Sequence, residues 1–125
     1  MTEAQIHAQL VQQFPGMIGP LQAAATEEQI IRVAPQALHS ICEYLLRNPS
    51  LHFDFLTNIS MTAGGDRTTA IYHLYSFDHG HAISLRVDVP KAQTQFKTVM
   101  DLWPAAERLE RETQLRLGVQ FELAH

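Results

Sequence analysis

The sequence predicts a two-layer α+β domain, in which helices cover one face of a mainly antiparallel sheet. Apolar residues at helical spacing mark three segments, and apolar and polar residues alternate in the middle of the chain. Short turns join those middle segments, so the strands there must run antiparallel, and helices then cover one face. The 125 residues contain no repeat and no long linker, so residues 1–125 are expected to form a single domain.

Two helices and two short strands are predicted before residue 50. Ile6, Leu10 and Phe14 recur every four residues in the first helix, and Pro20 permits the first strand only an edge position. The predicted elements are a helix over Thr2–Phe14 capped by Thr2, strands over Met17–Ala25 and Gln29–Val33, and a helix that begins at Pro35 and stops at Asn48-Pro49.

Three consecutive strands are predicted in the middle of the chain. Ile83, Leu85 and Val87 alternate with polar residues, as in a half-buried strand. A tight reversal is expected before them, where Gly80 is free to adopt positive φ. The strands are predicted at Phe53–Met61, Thr68–Phe77 and Ala82–Val89, separated by turns at Ala63–Asp66 and Asp78–His81 and followed by a polar loop at Lys91–Lys97.

The last helix is predicted over Pro104–Leu117. Proline suits the first helical position because its missing N–H is not needed there, and Gly118 suits the stop because glycine reaches the left-handed conformation without strain. Ala106, Leu109, Thr113 and Leu117 form its apolar face. The predicted core comprises Leu38, Ile41, Leu45, Phe55, Ile71, Ile83, Leu85, Val87, Ala106, Leu109 and Leu117.

The outward side of this helix is the candidate functional site. Its charges form opposite pairs four residues apart (Glu107–Arg111, Arg108–Glu112 and Glu112–Arg116), which alone indicates a solvated face. Two residues do not fit that interpretation: Leu115 points about 180° away from the apolar arc, and Glu110 lies at the arc's edge. We therefore predict an interface with a partner subunit, formed by Trp103, Arg108, Glu110, Arg111, Glu112 and Leu115.

Composition excludes several functional classes. A net charge of −4 and a pI near 5.9 do not favour nucleic acid, and no apolar run approaches the roughly 20 residues that span a bilayer. The first residues lack the features of a signal peptide, so a cytoplasmic location is expected. Cys42 is the only cysteine, which rules out an internal disulfide and a cluster held by about four thiolates. It is predicted to be a small core residue.

No catalytic or metal site is predicted. The chain lacks a G-x-S-x-G nucleophile motif, and Gly64-Gly65 is too short to cradle a phosphate. Asp78, His79 and His81 cluster in a turn close to His73, but a closed set of tetrahedral ligands is not evident. The turn histidines are expected to be solvated, and His73 to be a hydrogen-bonded core histidine.

Several motifs together resemble the 30-kDa subunit family of respiratory complex I, whose bacterial members are the C subunits of NADH–quinone oxidoreductase. The resemblance runs from Ile30 to Phe121. It departs from the family pattern at two positions: Leu115 stands where members carry an acidic residue, and Arg116 stands where members usually carry an apolar one. The motifs are F-D-F-L-T-N-I-S at 53–60, Y-H-L-Y-S-F-D-H at 72–79, R-V-D-V-P at 86–90, W-P-A-A at 103–106, and E-R-E at 110–112 followed by Gly118. Full-length members continue into an extended tail, so the chain is similar to the short homologue in energy-converting nickel–iron hydrogenases.

The resemblance implies a subunit with no active site and no cofactor of its own. Its partners would be the large catalytic subunit and the iron–sulfur subunits, which hold the clusters, in an assembly peripheral to the cytoplasmic face of the inner membrane. The chain would support assembly and electron transfer to quinone or, in a hydrogenase that evolves hydrogen, to protons. Two alternatives stay open: a free-standing α+β ligand-binding protein and, less favoured, a protein that binds metal at its histidine turn.

Overall fold

The computed structural model describes residues 3–23, 29–90 and 95–122. Within these ranges the chain forms three α-helices and seven strands, in an order close to the predicted one. The elements are α1 (Glu3–Gln13), β1 (Ile18–Ala23), β2 (Gln29–Val33), a 3₁₀ turn (Pro35–Ala37), α2 (Leu38–Arg47), β3 (Phe55–Gly64), β4 (Arg67–Ser76), β5 (His81–Pro90), β6 (Gln95–Lys97), α3 (Ala106–Leu117) and β7 (Gln120–Glu122). Thr2, Ala24 and Ala25, which the sequence assigned to a cap and a strand, lie outside the described residues.

The main sheet has five strands in the order β1-β2-β5-β4-β3. Strands β3, β4 and β5 pair antiparallel through short turns, and β1 pairs antiparallel with β2. β1, which contains Pro20, lies at an edge, as predicted. Strand β2 pairs in parallel with β5, and α2, β3 and β4 provide the long connection that a parallel pair requires. The α+β class and the mainly antiparallel sheet are thus confirmed, with one parallel seam.

One hydrophobic core joins the helices to a single face of the sheet. Ile6 and Leu10 of α1 reach this core together with apolar residues of α2 and α3. Cys42 is fully buried in it, as predicted. The predicted core residues that are buried are Leu38, Ile41, Leu45, Ile83, Leu85, Val87, Ala106 and Leu109.

Two predicted core residues lie elsewhere, since Phe55 is 41% exposed and Ile71 is only half-buried on the other side of the sheet. Leu117 is partly buried and packs against the core, as predicted. The register of β4 against β5 explains Ile71, because its Cα partner is Arg86, whereas the neighbouring Tyr72 lies opposite Leu85. The core face of β4 therefore carries Thr68, Ala70, Tyr72, Leu74 and Ser76. The opposite face of the sheet, which we call the open face, carries mostly half-buried and exposed side chains, although Ser84 on this face is buried.

The last third of the chain differs from the prediction in two details. Helix α3 begins at Ala106 and not at Pro104, because residues 103–107 first form a turn in which the Ala106 N–H donates to the Trp103 carbonyl at 2.9 Å. Gly118 ends the helix with φ of +74°, as predicted. Of the loop predicted over Lys91–Lys97, residues 91–94 lie outside the described residues, and Gln95–Lys97 form β6. β6 pairs in parallel with β7 and so fixes the chain on both sides of α3.

Candidate functional site

The outward side of α3 carries an exposed leucine among paired charges. Leu115 is 83% exposed, the highest value among the large hydrophobic residues whose side chains the structure describes. The Arg111 guanidinium donates to Glu107 at 3.0 Å, and Arg108 lies 3.7 Å from Glu112. These side chains are well exposed, so each pair stabilises the isolated helix only slightly. Arg108, Arg111, Glu112 and Leu115, which we call the α3 surface, are available to a partner, and their role as an interface stays a prediction.

Trp103, which the sequence placed in the same interface, faces inward. Its indole is only 2% exposed, and its ring N–H donates a 3.0 Å hydrogen bond to the carbonyl oxygen of Phe53. Phe53 in turn donates its backbone N–H to Leu45 at 2.9 Å. Trp103 thus ties the segment before α3 to the junction between α2 and β3, and its burial corrects its assignment to an exposed surface.

Glu110 is also buried, which corrects its place at the margin of the interface. It is 4% exposed, and its carboxylate accepts hydrogen bonds from the Thr98 hydroxyl at 2.5 Å and from the Val99 N–H at 2.9 Å. The Thr98 hydroxyl oxygen accepts the N–H of Met100 at 3.0 Å. Burial raises the pKa of Glu110, although the bonds from Thr98 and Val99 oppose that effect.

Trp103 and Glu110 act together on the orientation of the helix. Glu110 holds the backbone at 98–100, and Trp103 holds the end of the same segment against the α2–β3 junction. The direction of α3, and therefore of the α3 surface, depends on these internal contacts. The sequence carried a signal for this role, since Glu110 lies at the edge of the apolar arc, where a charge needs a buried partner.

Two shallow grooves flank α3. One, of about 360 Å³, lies between the helix and the outer strand β3, where Arg116 donates to the carbonyl oxygen of Met61 at 3.0 Å. This contact ties Arg116 to the sheet. The other groove, of about 300 Å³, lies between α3 and the segment that leads to it, and its wall includes Met100 and Phe121. Residues that a partner could contact therefore surround the helix on both sides.

The groups that could carry chemistry are engaged in structural contacts. His73 lies on the open face of the sheet and not in the core, with its ring nitrogens 3.2 Å from the Ser60 hydroxyl and 3.0 Å from the Ser84 hydroxyl. Cys42 is fully buried, and that burial raises the pKa of its thiol.

The predicted histidine turn is tied to the loop before β3. His79 is exposed and its ring nitrogen lies 2.9 Å from the Pro49 carbonyl oxygen, while Asp78 contacts His52. The ring of His81 stacks on Phe53 with centroids 4.8 Å apart. Among the described residues, no group of three or more His, Cys, Asp or Glu side chains is placed to hold a metal ion. Within the same residues, no helix is long and apolar enough to cross a membrane.

Comparison with known proteins identifies the family. Residues 31–124 match the family described as respiratory-chain NADH dehydrogenase, 30 Kd subunit. The chain belongs to this family. The match covers every strand from β3 to β7, α3 with both of its anchoring contacts, and the motifs on which the resemblance was based.

Members of the family resemble the chain at modest identity. The C subunit of the NADH-quinone oxidoreductase of Roseiflexus castenholzii is 28% identical over 86% of this chain and 69% of its own length. Its counterpart from Geobacter sulfurreducens is 31% identical over 75% of this chain and 59% of its own length. The C subunit of the F(420)H(2) dehydrogenase of Methanosarcina mazei is 32% identical over 66% of this chain and 52% of its own length. The chain thus spans between about half and two thirds of these relatives.

Two solved structures have the same fold. A trypsin-resistant fragment of Nqo5 superposes with a TM-score of 0.77 at 22% identity, covering 98% of this chain and 96% of the fragment. A chain of the membrane-bound sulfane sulfur reductase, described as an archaeal respiratory membrane complex, superposes with a TM-score of 0.79 at 20% identity, covering 95% of this chain and 69% of that one.

Proposed function

We propose that this chain is a non-catalytic subunit of the peripheral arm of a complex I-like oxidoreductase, either an NADH–quinone oxidoreductase or a related membrane-bound hydrogenase. Its role is to support assembly and electron transfer by the large redox subunit. The observation that carries the proposal is the family match over residues 31–124. The names of the relatives add support, because they belong to dehydrogenases of two different electron donors, NADH and F(420)H(2). The C subunits of these two dehydrogenases therefore resemble each other although the electron donors of the enzymes differ.

The engagement of the reactive groups supports a role without catalysis by this chain. Glu110 holds backbone, the Cys42 thiol is buried with a raised pKa, and His73 bridges two serine hydroxyls. A general base or nucleophile has to reach a substrate, and none of these three groups is exposed. The proposal assigns no cofactor or metal to this chain and assigns the iron–sulfur clusters to partner subunits.

The partners in this proposal are the large catalytic subunit and the iron–sulfur subunits. The α3 surface is the contact with the large subunit, and the assembly lies peripherally at the cytoplasmic face of the inner membrane. In the α3 surface, Arg108 and Arg111 each form an ion pair with a glutamate of the same helix. The partner should therefore offer carboxylates that compete for these two arginines. Leu115 should meet an apolar counterpart, since burying it would remove a large apolar surface from water.

Reversal of one charge tests the proposal. In the isolated domain, Arg111→Glu should leave the fold intact, because the side chain is 67% exposed. In the assembly it should reduce co-purification of the other subunits with the tagged chain, and reduce electron-transfer activity in parallel, since the new charge meets a like charge in a desolvated contact.

Arg47 provides a matched control on another helix. It is also 67% exposed and also lies near a glutamate four residues away, Glu43. Arg47→Glu should therefore assemble like the wild type. Equal recovery of subunits with the Arg111→Glu and Arg47→Glu chains would refute the α3 surface as an interface. A wild-type chain that purifies without any other subunit would favour the free-standing ligand-binding protein instead.

Metal analysis tests the absence of a resident metal. The purified chain should be colourless and should contain no stoichiometric zinc or iron. One tightly bound equivalent that disappears when His79 and His81 are replaced by alanine would contradict this part of the proposal.

A further inference from the structure

Three aromatic side chains form a patch at one end of the open face. Phe77 is 65% exposed and Phe55 is 41% exposed, while Tyr75 is half-buried. The Phe77 ring contacts Phe55 with centroids 5.5 Å apart and Tyr75 with centroids 5.0 Å apart, both edge to face. Single exposed hydrophobic residues are common on soluble proteins, whereas contiguous apolar patches rimmed by polar groups are typical of interaction sites. We call these three residues the aromatic patch.

The register of the strands keeps this patch out of the core. Phe55 lies opposite Tyr75, so the two side chains project from the same face of the sheet. On β4 the neighbours of Tyr75 are Leu74 and Ser76, which are buried on the helix side. Because side chains alternate along a strand, the aromatic patch lies on the face opposite α3. It is therefore separate from the α3 surface.

Acidic groups border the aromatic patch. The carboxylate of Asp54 accepts the backbone N–H of Phe77 at 3.2 Å. Asp78 follows Phe77 directly and is 61% exposed, although His52 contacts its carboxylate. The border therefore carries two carboxylates, one of which contacts His52.

We propose that the aromatic patch is a second docking surface, whose occupant is a segment of another protein subunit that presents an arginine or lysine among apolar side chains. The inference rests on the proposed function, since it assumes that the chain assembles with other subunits. A cation is attracted to the faces of aromatic rings and to the carboxylates of Asp54 and Asp78, and apolar neighbours bury the rings. Arginine fits best, because its planar guanidinium both stacks on rings and pairs with carboxylates.

The same charges disfavour two other occupants. A second copy of this chain would bring two acidic borders together, and its net charge of −4 adds to the repulsion. The head groups of an anionic membrane surface would also be repelled by Asp54 and Asp78.

Photo-cross-linking in the assembled complex tests the proposal. The cross-linking amino acid p-benzoyl-L-phenylalanine is placed at position 77 of the tagged full chain, and the complex is irradiated, digested and analysed by mass spectrometry. The expected product joins position 77 to a peptide of another subunit that contains arginine or lysine beside apolar residues. Position 11 is the control, because Val11 is also exposed, at 41%, but lies on α1. It should give no such product.

Position 115 separates this proposal from the proposed function. Cross-links from position 115 to another subunit, with none from position 77, would overturn the docking role of the patch and leave the proposed function intact. Products at position 77 that join two copies of this chain, an acidic peptide or lipid would also overturn it. If no subunit accompanies the wild-type chain, the proposed function fails, and the second docking surface fails with it.

Substitutions give an independent measurement of the same contact. Phe77→Ser should lower recovery of the cross-linked subunit about tenfold, as expected for an exposed aromatic residue that anchors an interface, whereas Phe77→Tyr should stay near the wild type. Asp54→Asn keeps an oxygen that can accept the Phe77 N–H but removes the charge, so recovery should fall several-fold. Val11→Ser should change nothing. Equal recovery for Phe77→Ser and Val11→Ser would overturn the proposal.

Discussion

Replacement of Glu110 should reveal how strongly one buried carboxylate holds the segment that orients α3. Glu110→Ala removes the acceptor of two buried donors, the Thr98 hydroxyl and the Val99 N–H. Glu110→Gln keeps one oxygen, which can still accept from Val99, and turns an NH₂ group towards Thr98. Because the Thr98 oxygen already accepts from Met100, it has a second lone pair that can receive this new donor.

The size of each effect follows from the donors that are left. An unsatisfied buried donor costs about 1–3 kcal/mol, and the Thr98 hydroxyl can rotate, whereas the Val99 N–H cannot. Burial disfavours the charged form of Glu110, so removing the carboxylate also removes an unfavourable desolvation energy. This gain offsets part of the cost of the unsatisfied donors. We expect Glu110→Ala to lower the free energy of unfolding by about 2 kcal/mol and Glu110→Gln by about 1 kcal/mol.

The pH dependence gives the sign of the charge effect. Burial raises the pKa of Glu110 in the folded state above that in the unfolded chain, so the folded state binds more protons between the two values. The contribution of Glu110 to stability is thus full below the unfolded pKa and is lost as the pH rises through the folded pKa. The glutamine variant cannot titrate. Its deficit relative to the wild type should therefore be largest at acidic pH and should shrink as the pH rises.

Urea unfolding followed by the fluorescence of Trp103 measures these free energies over a pH series. Glu112→Gln is the matched control, because it changes an exposed glutamate on the same helix. The reasoning is refuted if Glu110→Gln is as stable as Glu112→Gln at every pH, or if its deficit grows as the pH rises.

Three further predictions concern the core, the thiol and the end of α3. Leu109→Ala should lower the unfolding free energy by about 2–5 kcal/mol, while Leu115→Ala on the same helix should change it little; similar losses in urea unfolding would show that the assigned helix face is wrong. The Cys42 thiol should resist a thiol reagent in the native protein and react in urea, because burial raises its pKa, and rapid native labelling would contradict this. Gly118→Ala should cost about 1 kcal/mol through φ alone, since the added Cβ meets no atom within 4 Å; an unchanged urea midpoint would argue against the left-handed cap.

Local sequence patterns predicted most helices and strands well, because the formation of these elements depends on residues that are close in sequence. The alternation of Ile83, Leu85 and Val87 identified β5 and its buried face, and Gly118 marked the end of α3. The parallel pairing of β2 with β5 is a contact between distant segments, and no local pattern specifies it. The short strands β6 and β7 were missed for the same reason, since each is three residues long and pairs only across α3.

For a strand with apolar residues on both faces, predicting which face is buried requires the pairing register as well as the alternation of apolar and polar residues. The core face of β4 bears Tyr72 and Leu74, while its open face bears Ile71 and Tyr75, so hydrophobicity alone did not separate them. The tight turn between β4 and β5 would have placed Tyr72 opposite Leu85, and so on the core side. At Phe55, a register irregularity between Leu56 and Asn58 disrupts the simple alternation that the prediction used.

The exposure of the candidate site was predicted in part, and its role as an interface stays a prediction. The exposed α3 charges and Leu115 follow from helical geometry, whereas the inward positions of Trp103 and Glu110 depend on segments that the helix pattern does not include. The aromatic patch was missed because Phe55 and Ile71 were assigned to the core, which placed the same face of β3 and β4 inward. Phe77, directly after β4, joins Phe55 and Tyr75 on that face.

The parallel seam between β2 and β5 affects the order in which the sheet can assemble. The β3–β4–β5 meander closes short loops, whereas pairing of Ile31 with Leu85 must first bring distant parts of the chain together, at a larger cost in chain entropy. The meander should therefore form early, and the β1–β2 pair should add to it late and open first. Native-state hydrogen exchange should find the amides of β2 less protected than those of β4, and equal protection would mean that all five strands fold as one cooperative unit.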